Sequence, residues 1–262
     1  MQPKSQAREL ALKALYQAEV GQTPISQALE GALDQIRSQH LTAVDQLERE
    51  AERDIRTTIA GDAAEASSTS KRQITAVVRA TIEEVKAHGD RLREITGALL
   101  NETRQLDTGI AAERAAESTA QAESKLTAIA ARPGFYPDLF EKVAAMAIAR
   151  TMTMKEQFLK RLDTSDQIAA YLVNLVHGAL ASRAEIDARV SALSRDWSLD
   201  RQPAVDRNIL RIAAYEIMHK QAPVAVAIDE AVNLAKKYST EESGKFVNGV
   251  LGALANPAEV KA

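Results

Sequence analysis

The sequence predicts an all-α protein that carries a long helical-hairpin, coiled-coil insertion. Apolar residues recur at intervals of three and four through most of the 262 residues, which is the period of one face of an α-helix. Between Tyr16 and Phe135 there is no Phe, Tyr or Trp, while alanine, glutamate, arginine and threonine are abundant. This contrast predicts a helical insertion within a more conventional helical body.

The composition argues against several classes of protein. A formal net charge of −3 gives no overall basic field that would attract nucleic acid, although a local basic site remains compatible with it. The absence of cysteine excludes disulfides, thiolate metal sites and cysteine nucleophiles. The four histidines lack metal-ligand spacing, and no phosphate-binding loop or nucleophile elbow occurs. We therefore expect a protein that is not an enzyme and that uses no metal and no cofactor.

A cytoplasmic location is the default expectation. No apolar run reaches the roughly 18 residues that are needed to span a bilayer. Charged residues interrupt the N-terminal segment, so it does not resemble a signal peptide.

Residues 1–22 are predicted to form the first helix of the body. Lys4 and Arg8 lie one turn apart at its exposed start, and they either contact phosphate or form a solvated helix end, with charge alone favouring the second. A narrow stripe of mostly small apolar residues predicts that the helix is buried between others: Ala7, Ala11, Ala14, Leu15 and Ala18.

Residues 23–132 are predicted to form the insertion. The segment 61–70, GDAAEASSTS, is typical of a turn between two long helices, and a third helix is expected at about 111–130. The insertion serves either as a solvated spacer or as a docking arm for another protein. Heptad spacing typical of a coiled-coil seam links Ile74, Val78, Thr81, Val85, His88, Leu92, Ile95 and Leu99, and a plausible partner run contains Leu33, Ile36, His40, Val44, Leu47, Ala51 and Ile55.

Residues 133–262 are predicted to complete the helical body. An aromatic-rich helix should begin after Pro133, two helices should follow between 164 and 204, and Trp197 should anchor them to the C-terminal bundle. Three short helices are predicted: one at about 205–220, a second whose apolar face runs from Ala227 to Tyr238, and a third from about Ser243 to Leu254.

The start of the last predicted helix has features suited to RNA. Backbone N–H groups at a helix start bind phosphate well, and Lys245 adds a positive charge. Phe246 either stacks on an unpaired base or belongs to the core, and the spacing leaves both interpretations open. Gly249 and Gly252 weaken a helix interior, which predicts the close approach of another backbone.

Three stretches carry a family resemblance. ARELALKALYQ near the N-terminus, LRIAAYEI, and PVAVAIDEAVNLAKKYSTEESGKFVNGVLGAL closely resemble the NusB family of bacterial transcription antitermination factors. With the middle helices between about 164 and 210, the resemblance covers a little over half of the chain. The insertion is similar to that of longer, cyanobacterial-type members.

The resemblance implies a fold of two small helical bundles that binds RNA. The RNA would be the boxA-type single-stranded element of ribosomal RNA leaders. Ribosomal protein NusE would bind beside it within the RNA polymerase antitermination complex. The RNA-binding residues implied in this chain are Lys4, Arg8, Asp206, Arg211, Glu242, Lys245 and Phe246.

The chain departs from the family at its N-terminus. Many members carry a run of arginines where this chain has Lys4, Ser5, Gln6 and Arg8. Each lost phosphate contact lowers both affinity and salt dependence, so we expect weaker RNA binding by the isolated protein. The resemblance also allows a homodimer that would hide the RNA surface.

Two alternative functions are compatible with the resemblance. The first is a protein-interaction scaffold in which the long insertion dominates and RNA binding is reduced. The second is the RNA-binding part of a ribosomal RNA methyltransferase, since some of these enzymes carry a NusB-like domain. The second is disfavoured because the chain ends shortly after GVLGAL.

Overall fold

The computed structural model describes residues 2–62, 68–103, 108–131, 137–194 and 201–256. Within these ranges the chain forms helices and no strand, which confirms the all-α prediction. The helices are α1 (Pro3–Val20), α2 (Ile25–Asp62), α3 (Ser68–Thr103), α4 (Thr108–Ala130), α5 (Pro137–Ala181), α6 (Arg183–Leu193), α7 (Ala204–Met218), α8 (Val224–Tyr238) and α9 (Glu241–Ala255).

The chain divides into two compact units. Unit 1 comprises Met1–Ile36 and Gln167–Ala262, and unit 2 comprises Arg37–Asp166. Both boundaries fall inside a helix, α2 or α5, rather than in a loop. The predicted domain limits of 1–22, 23–132 and 133–262 stay a prediction.

Helix α5 is a single helix of 45 residues. It joins residues that the sequence pattern assigned to separate segments, before and after residue 164. No proline or glycine lies between Pro137 and Gly178, so nothing in this stretch breaks the hydrogen-bond ladder. Polar residues such as Thr164 and Ser165 do not end the helix, because they keep the backbone N–H groups that the hydrogen-bond ladder needs.

Unit 1 packs around α1 and α7. Ala7, Ala11 and Ala14 of α1 are at most 1% exposed, which confirms the buried small-residue stripe. At Gly178 of α5, an added Cβ would lie 2.0 Å from the ring of Tyr215 in α7. Glycine is therefore required there, because any side chain would displace the tyrosine ring.

Unit 2 contains the predicted hairpin and its third helix. Among the heptad positions of α3 whose burial is described, Val78 is half-buried and the others are buried, with Val85, His88 and Leu92 at 0% exposure. Val44 and Ile55 of α2 are also buried. These burials confirm the seam. Helix α4 packs closely against α3 through small residues, and its buried apolar residues are Ala111, Ala115, Ala122, Leu126 and Ile129.

Several predicted features lie outside the described residues. Half of the predicted turn at 61–70, residues 63–67, is among them, and so are Phe135, Tyr136 and Trp197. The other half of that turn is helical, because α2 continues to Asp62 and α3 begins at Ser68.

Candidate nucleic-acid interface

The first turn of α9 is held by a network of hydroxyl groups. The Thr240 hydroxyl caps the helix by accepting a hydrogen bond from the Ser243 backbone N–H, at 3.0 Å. The Ser243 hydroxyl donates to Oδ2 of Asp206 in α7, at 2.8 Å. An N-cap of this kind stabilises a helix by about 1 kcal/mol. The start of α9 is thus fixed from two sides. Because the helix begins at Glu241, two residues before the predicted start at Ser243, Lys245 and Phe246 lie in its second turn and not in its first.

Lys245 and Phe246 differ in exposure. The side chains of Lys245 and Glu242 are 72% and 78% exposed, and they form an ion pair at 2.8 Å within the same turn. The hydrogen bond to Glu242 raises the pKa of Lys245, so its ammonium group stays charged at neutral pH. Phe246 is half-buried and packs against the unit 1 core. Its ring therefore belongs partly to the core and partly to the surface.

Asp206 lies beneath this turn. It is 0% exposed, and it belongs to the first turn of α7. Its Oδ2 accepts from Ser243, whereas Oδ1 is buried without a hydrogen-bond partner among the residues that the structure describes. In this position Asp206 braces the start of α9 and does not face solvent.

Arg211 is enclosed by carboxylates. Its side chain is 7% exposed and forms two hydrogen bonds to Asp187, at 2.8 and 3.0 Å, and one to Glu19 at 3.1 Å. Burial lowers the pKa of Arg211, but Asp187 and Glu19 outweigh burial and the net pKa is raised. The guanidinium group ties α7 to α6 and α1, and in this arrangement it faces no open surface.

Arg8 is also buried, whereas Lys4 is exposed. The Arg8 side chain is 3% exposed and pairs with Glu216 of α7 at 2.8 Å. Lys4 is on the surface, and its Nζ lies 4.8 Å from the centre of the Tyr171 ring. The two cations that the sequence placed together therefore have different environments.

A polar cluster that the sequence pattern did not predict joins α1 to the end of α8. Glu9 accepts hydrogen bonds from Lys13 at 2.9 Å, from Lys237 at 2.7 Å and from the Tyr238 hydroxyl. Burial raises the pKa of Glu9, but these three hydrogen bonds outweigh it and lower the pKa to about 2. The spacing of Glu9 and Lys13, four residues apart, was the one signal for it in the sequence.

The predicted site residues thus form three groups in unit 1. Asp206, Glu242, Lys245 and Phe246 surround the start of α9, with Asp206 buried. Lys4 and Arg8 share Tyr171, and Arg211 sits in its own carboxylate network. Direct RNA contact by all seven residues stays a prediction, and of the four cations Lys4 and Lys245 are exposed while Arg8 and Arg211 are buried.

The described residues offer neither a metal site nor a membrane span. No group of three or more His, Cys, Asp or Glu side chains there could hold a metal ion. No helix in those ranges is both long and apolar enough to cross a membrane.

Comparison with known proteins identifies related sequences. A family model described as "NusB family" matches residues 139–256. A relative from Frankia casuarinae is 46% identical over 118 residues, which cover 42% of this chain and 87% of the relative. Relatives from Elusimicrobium minutum and Heliobacterium modesticaldum are 46% and 49% identical, over 37% and 35% of this chain. All three are named "Transcription antitermination protein NusB".

The matches differ in how much of each relative they span. The chain covers 69% of the Elusimicrobium relative and 45% of the Heliobacterium relative. Among solved structures, one of T. maritima NusB is 40% identical over 39% of this chain and 75% of that chain, with a TM-score of 0.34.

Proposed function

This chain belongs to the NusB family, and from that premise we propose that it acts as an RNA-binding antitermination factor. The RNA would be a boxA-type single-stranded element of ribosomal RNA leaders. Ribosomal protein NusE would bind with it, and both would join the RNA polymerase antitermination complex in the cytoplasm. The relatives named above are antitermination proteins, which supports a role in transcription.

The N-terminal part of α9, its first two turns, is the observation that carries this proposal. It combines an exposed ammonium group on Lys245 with a half-buried aromatic ring on Phe246, and the Thr240 cap holds both in place. Single-stranded RNA is commonly bound by an aromatic side chain that stacks on a base and by nearby cations that contact phosphate. Glu242 pairs with Lys245 in the free protein and would release it when a phosphate arrives.

The buried site residues would act differently from the exposed ones. Arg8, Asp206 and Arg211 are held inside unit 1 by hydrogen bonds to other helices. We propose that Asp206 and Arg211 position helices, and that Lys4, Lys245 and Phe246 contact the RNA directly. Two exposed site cations predict modest affinity and a shallow salt dependence for the isolated protein.

The small number of exposed cations among the site residues also supports a second candidate, a protein-interaction scaffold with reduced RNA binding. Arg8 and Arg211 face carboxylates, so fewer cations reach the surface than the family resemblance implied. In that case unit 2 would supply the principal binding surface for another protein.

Fluorescence anisotropy tests the proposal directly. A labelled boxA-type RNA is titrated with the protein, alone and with NusE, at two salt concentrations. We expect NusE to tighten the binding and salt to weaken it. We also expect Lys245→Ala and Phe246→Ala each to weaken binding, because an aromatic stack contributes about 1–3 kcal/mol per base.

Lys160→Ala is the matched control, because it removes an exposed lysine from unit 2. The proposal predicts no effect from this change. RNA binding that is undetectable with and without NusE would reject the antitermination role and favour the scaffold.

A further inference from the structure

Arg8 has its hydrogen-bonding groups committed inside the protein. Its Nε lies 3.0 and 3.1 Å from the two carboxylate oxygens of Glu216, and its Nη2 lies 2.8 Å from one of them. Its Nη1 faces Glu230 of α8 at 3.8 Å. Glu216 is 0% exposed, so Arg8 is the cation that neutralises a fully buried carboxylate.

The same carboxylate also holds Tyr171. The Tyr171 hydroxyl donates a hydrogen bond to Oε1 of Glu216, which anchors the tip of the half-buried tyrosine ring. Burial and the negative charge of Glu216 both raise the pKa of Tyr171, so the hydroxyl keeps its proton and remains a donor. Glu216 therefore joins α1 and α5 to α7 through two side chains.

Lys4 also contacts the Tyr171 ring. Its Nζ lies 4.8 Å from the Tyr171 ring centre, and the Arg8 guanidinium carbon lies 5.6 Å from the same centre. A cation within about 6 Å of an aromatic ring is attracted to its face. One turn of α1 separates the two cations, so a single ring contacts a buried cation and an exposed one.

The start of α1 has a second anchor. The Ser5 hydroxyl donates to Oε1 of Glu230 at 2.7 Å, which ties this turn to α8. The backbone beneath Lys4 is thus fixed, while its long side chain would otherwise move freely. The Tyr171 ring is the contact that gives its ammonium group a preferred position.

We propose that Arg8 and Glu216 are positioning residues that fix the Tyr171 ring, and that this ring holds the Lys4 ammonium group where it meets an RNA phosphate. Arg8 itself does not touch RNA. The reason is energetic: moving Arg8 to a phosphate would leave Glu216 charged, buried and unpaired, and one exposed phosphate contact does not compensate for that. This inference rests on the proposed function.

The salt dependence of RNA affinity tests it, because the slope of log affinity against log salt counts phosphate contacts. Each contact to a single strand contributes about 0.7 to the slope. Lys4→Met should make the slope shallower by about 0.7. Tyr171→Leu, which removes the ring, should do the same. Tyr171→Phe keeps the ring but removes the hydroxyl that Glu216 anchors, so its slope should fall between those of the wild type and Tyr171→Leu. A wild-type slope in Tyr171→Phe would show that Glu216 does not fix the ring.

A double variant checks that Tyr171 acts through Lys4. Lys4→Met combined with Tyr171→Leu should show the slope of Lys4→Met alone. A wild-type slope in Tyr171→Leu, or additive losses in the double variant, would overturn the inference.

The role of Arg8 is tested with its partner removed at the same time. Arg8→Met with Glu216→Gln leaves no unpaired buried charge, and the glutamine still offers an oxygen to the Tyr171 hydroxyl. Thermal unfolding followed by circular dichroism verifies that this variant folds. We expect it to keep the wild-type salt slope, because Arg8 acts only by neutralising the buried Glu216 and a neutral glutamine needs no counter-ion. A slope reduced by about 0.7, and reduced again when Lys4→Met is added, would show that Arg8 contacts phosphate.

The outcomes separate this inference from the proposed function. If the wild-type protein does not bind RNA, or if Lys4→Met leaves the slope unchanged, the Lys4 contact of the proposed function is wrong. If Lys4→Met reduces the slope and Tyr171→Leu does not, only the positioning role fails. The Tyr171 variants decide the inference even if the Arg8 double variant does not fold.

Discussion

Unit 1 buries charged ion pairs, whereas the most deeply buried titratable side chains of unit 2 are neutral histidines. Unit 1 encloses ion pairs, with Arg8 on Glu216 and Arg211 on Asp187. Unit 2 encloses two histidines in its helical seam, His40 and His88, and burial is the main cause that lowers the pKa of each to about 4. The first arrangement requires that buried groups stay charged, and the second requires that they stay neutral.

The contacts of α1 in unit 1 also lie farther apart along the chain than those between α2 and α3 in unit 2. Arg8 and Glu216 are 208 residues apart. In unit 2, Arg93 of α3 bonds Asp45 of α2 at 2.8 Å and Glu48 of the same helix, at separations of 48 and 45 residues. A hairpin between neighbouring helices follows a repeating pattern, whereas unit 1 depends on matches between distant segments. The comparison predicts different sensitivities to mutation and pH.

The largest expected effect is the loss of a buried partner in unit 1. Glu216→Leu leaves Arg8 buried, with Glu230 at 3.8 Å as a distant carboxylate. We expect the free energy of unfolding to fall by about 3–5 kcal/mol, because an unpaired buried charge is strongly unfavourable. Urea denaturation followed by circular dichroism measures this.

An exposed pair provides the matched control for that change. Glu185→Leu removes the partner of Arg189 in α6, where both side chains are more than half exposed. Surface pairs contribute about 0–1 kcal/mol, so little change is expected. Equal effects of Glu216→Leu and Glu185→Leu would contradict the view that unit 1 depends on buried ion pairs.

The second effect is acid destabilisation of unit 2. The folded-state pKa values of His40 and His88 are about 4, below the 6.5 of an unperturbed histidine, so the unfolded chain binds more protons. Their stabilising contribution is complete above pH 6.5 and is lost as the pH falls towards 4. Protonation of each ring should cost up to about 3 kcal/mol.

The groups that face the two rings reinforce this direction. Arg161 of α5 lies near His40, and Arg91 lies near His88, where their positive charges disfavour a second cation. The lowering of the His88 pKa is opposed, but not reversed, by Glu84, Ser118 and the Thr151 backbone.

Histidine variants measure this pH effect. Unfolding free energies measured between pH 7 and 4.5 should fall less steeply in His40→Leu and in His88→Leu. His177→Leu is the control, because it removes a histidine that is exposed in the structure. Unchanged slopes in all three variants would refute the assignment.

The smallest effect concerns two glycines of unit 1. At Gly178, alanine would collide with the Tyr215 ring at 2.0 Å, and we expect a loss of about 1–3 kcal/mol from overpacking. At Gly249 of α9, an added Cβ would meet no described atom within 4 Å, so alanine should stabilise the helix by about 1 kcal/mol. Thermal unfolding of both variants measures the difference. Changes of the same sign would show that close packing does not distinguish the two sites.

The surroundings of Gly249 also correct a sequence-based expectation. The sequence predicted that Gly249 and Gly252 let another backbone approach closely. In the structure an added Cβ at either position meets no described atom of this chain within 4 Å. The glycine that close packing requires is Gly178, and no pattern in the sequence singled it out.

The sequence alone determined the helical class, the seam of unit 2 and the family. Heptad spacing acts through local geometry, so the sequence pattern by itself assigned positions such as Val85 and Leu92 to the interior. The long ordered motifs near the C-terminus carried the family resemblance. The bounds of α7 and α9 agree with the predicted 205–220 and 243–254 to within about two residues, as expected when helix ends fray, and α8 contains the predicted apolar face from Ala227 to Tyr238.

Tertiary structure alone decided which charged residues face solvent. Lys4 and Arg8 lie one helical turn apart and carry the same charge, yet one is exposed and the other meets a carboxylate 208 residues away. The same holds for Asp206, whose burial depends on Ser243 in α9. Helical periodicity specifies which residues share a face, but the partner that covers that face comes from a distant part of the chain. The difference between an exposed cation and a buried one therefore became visible only in the folded protein.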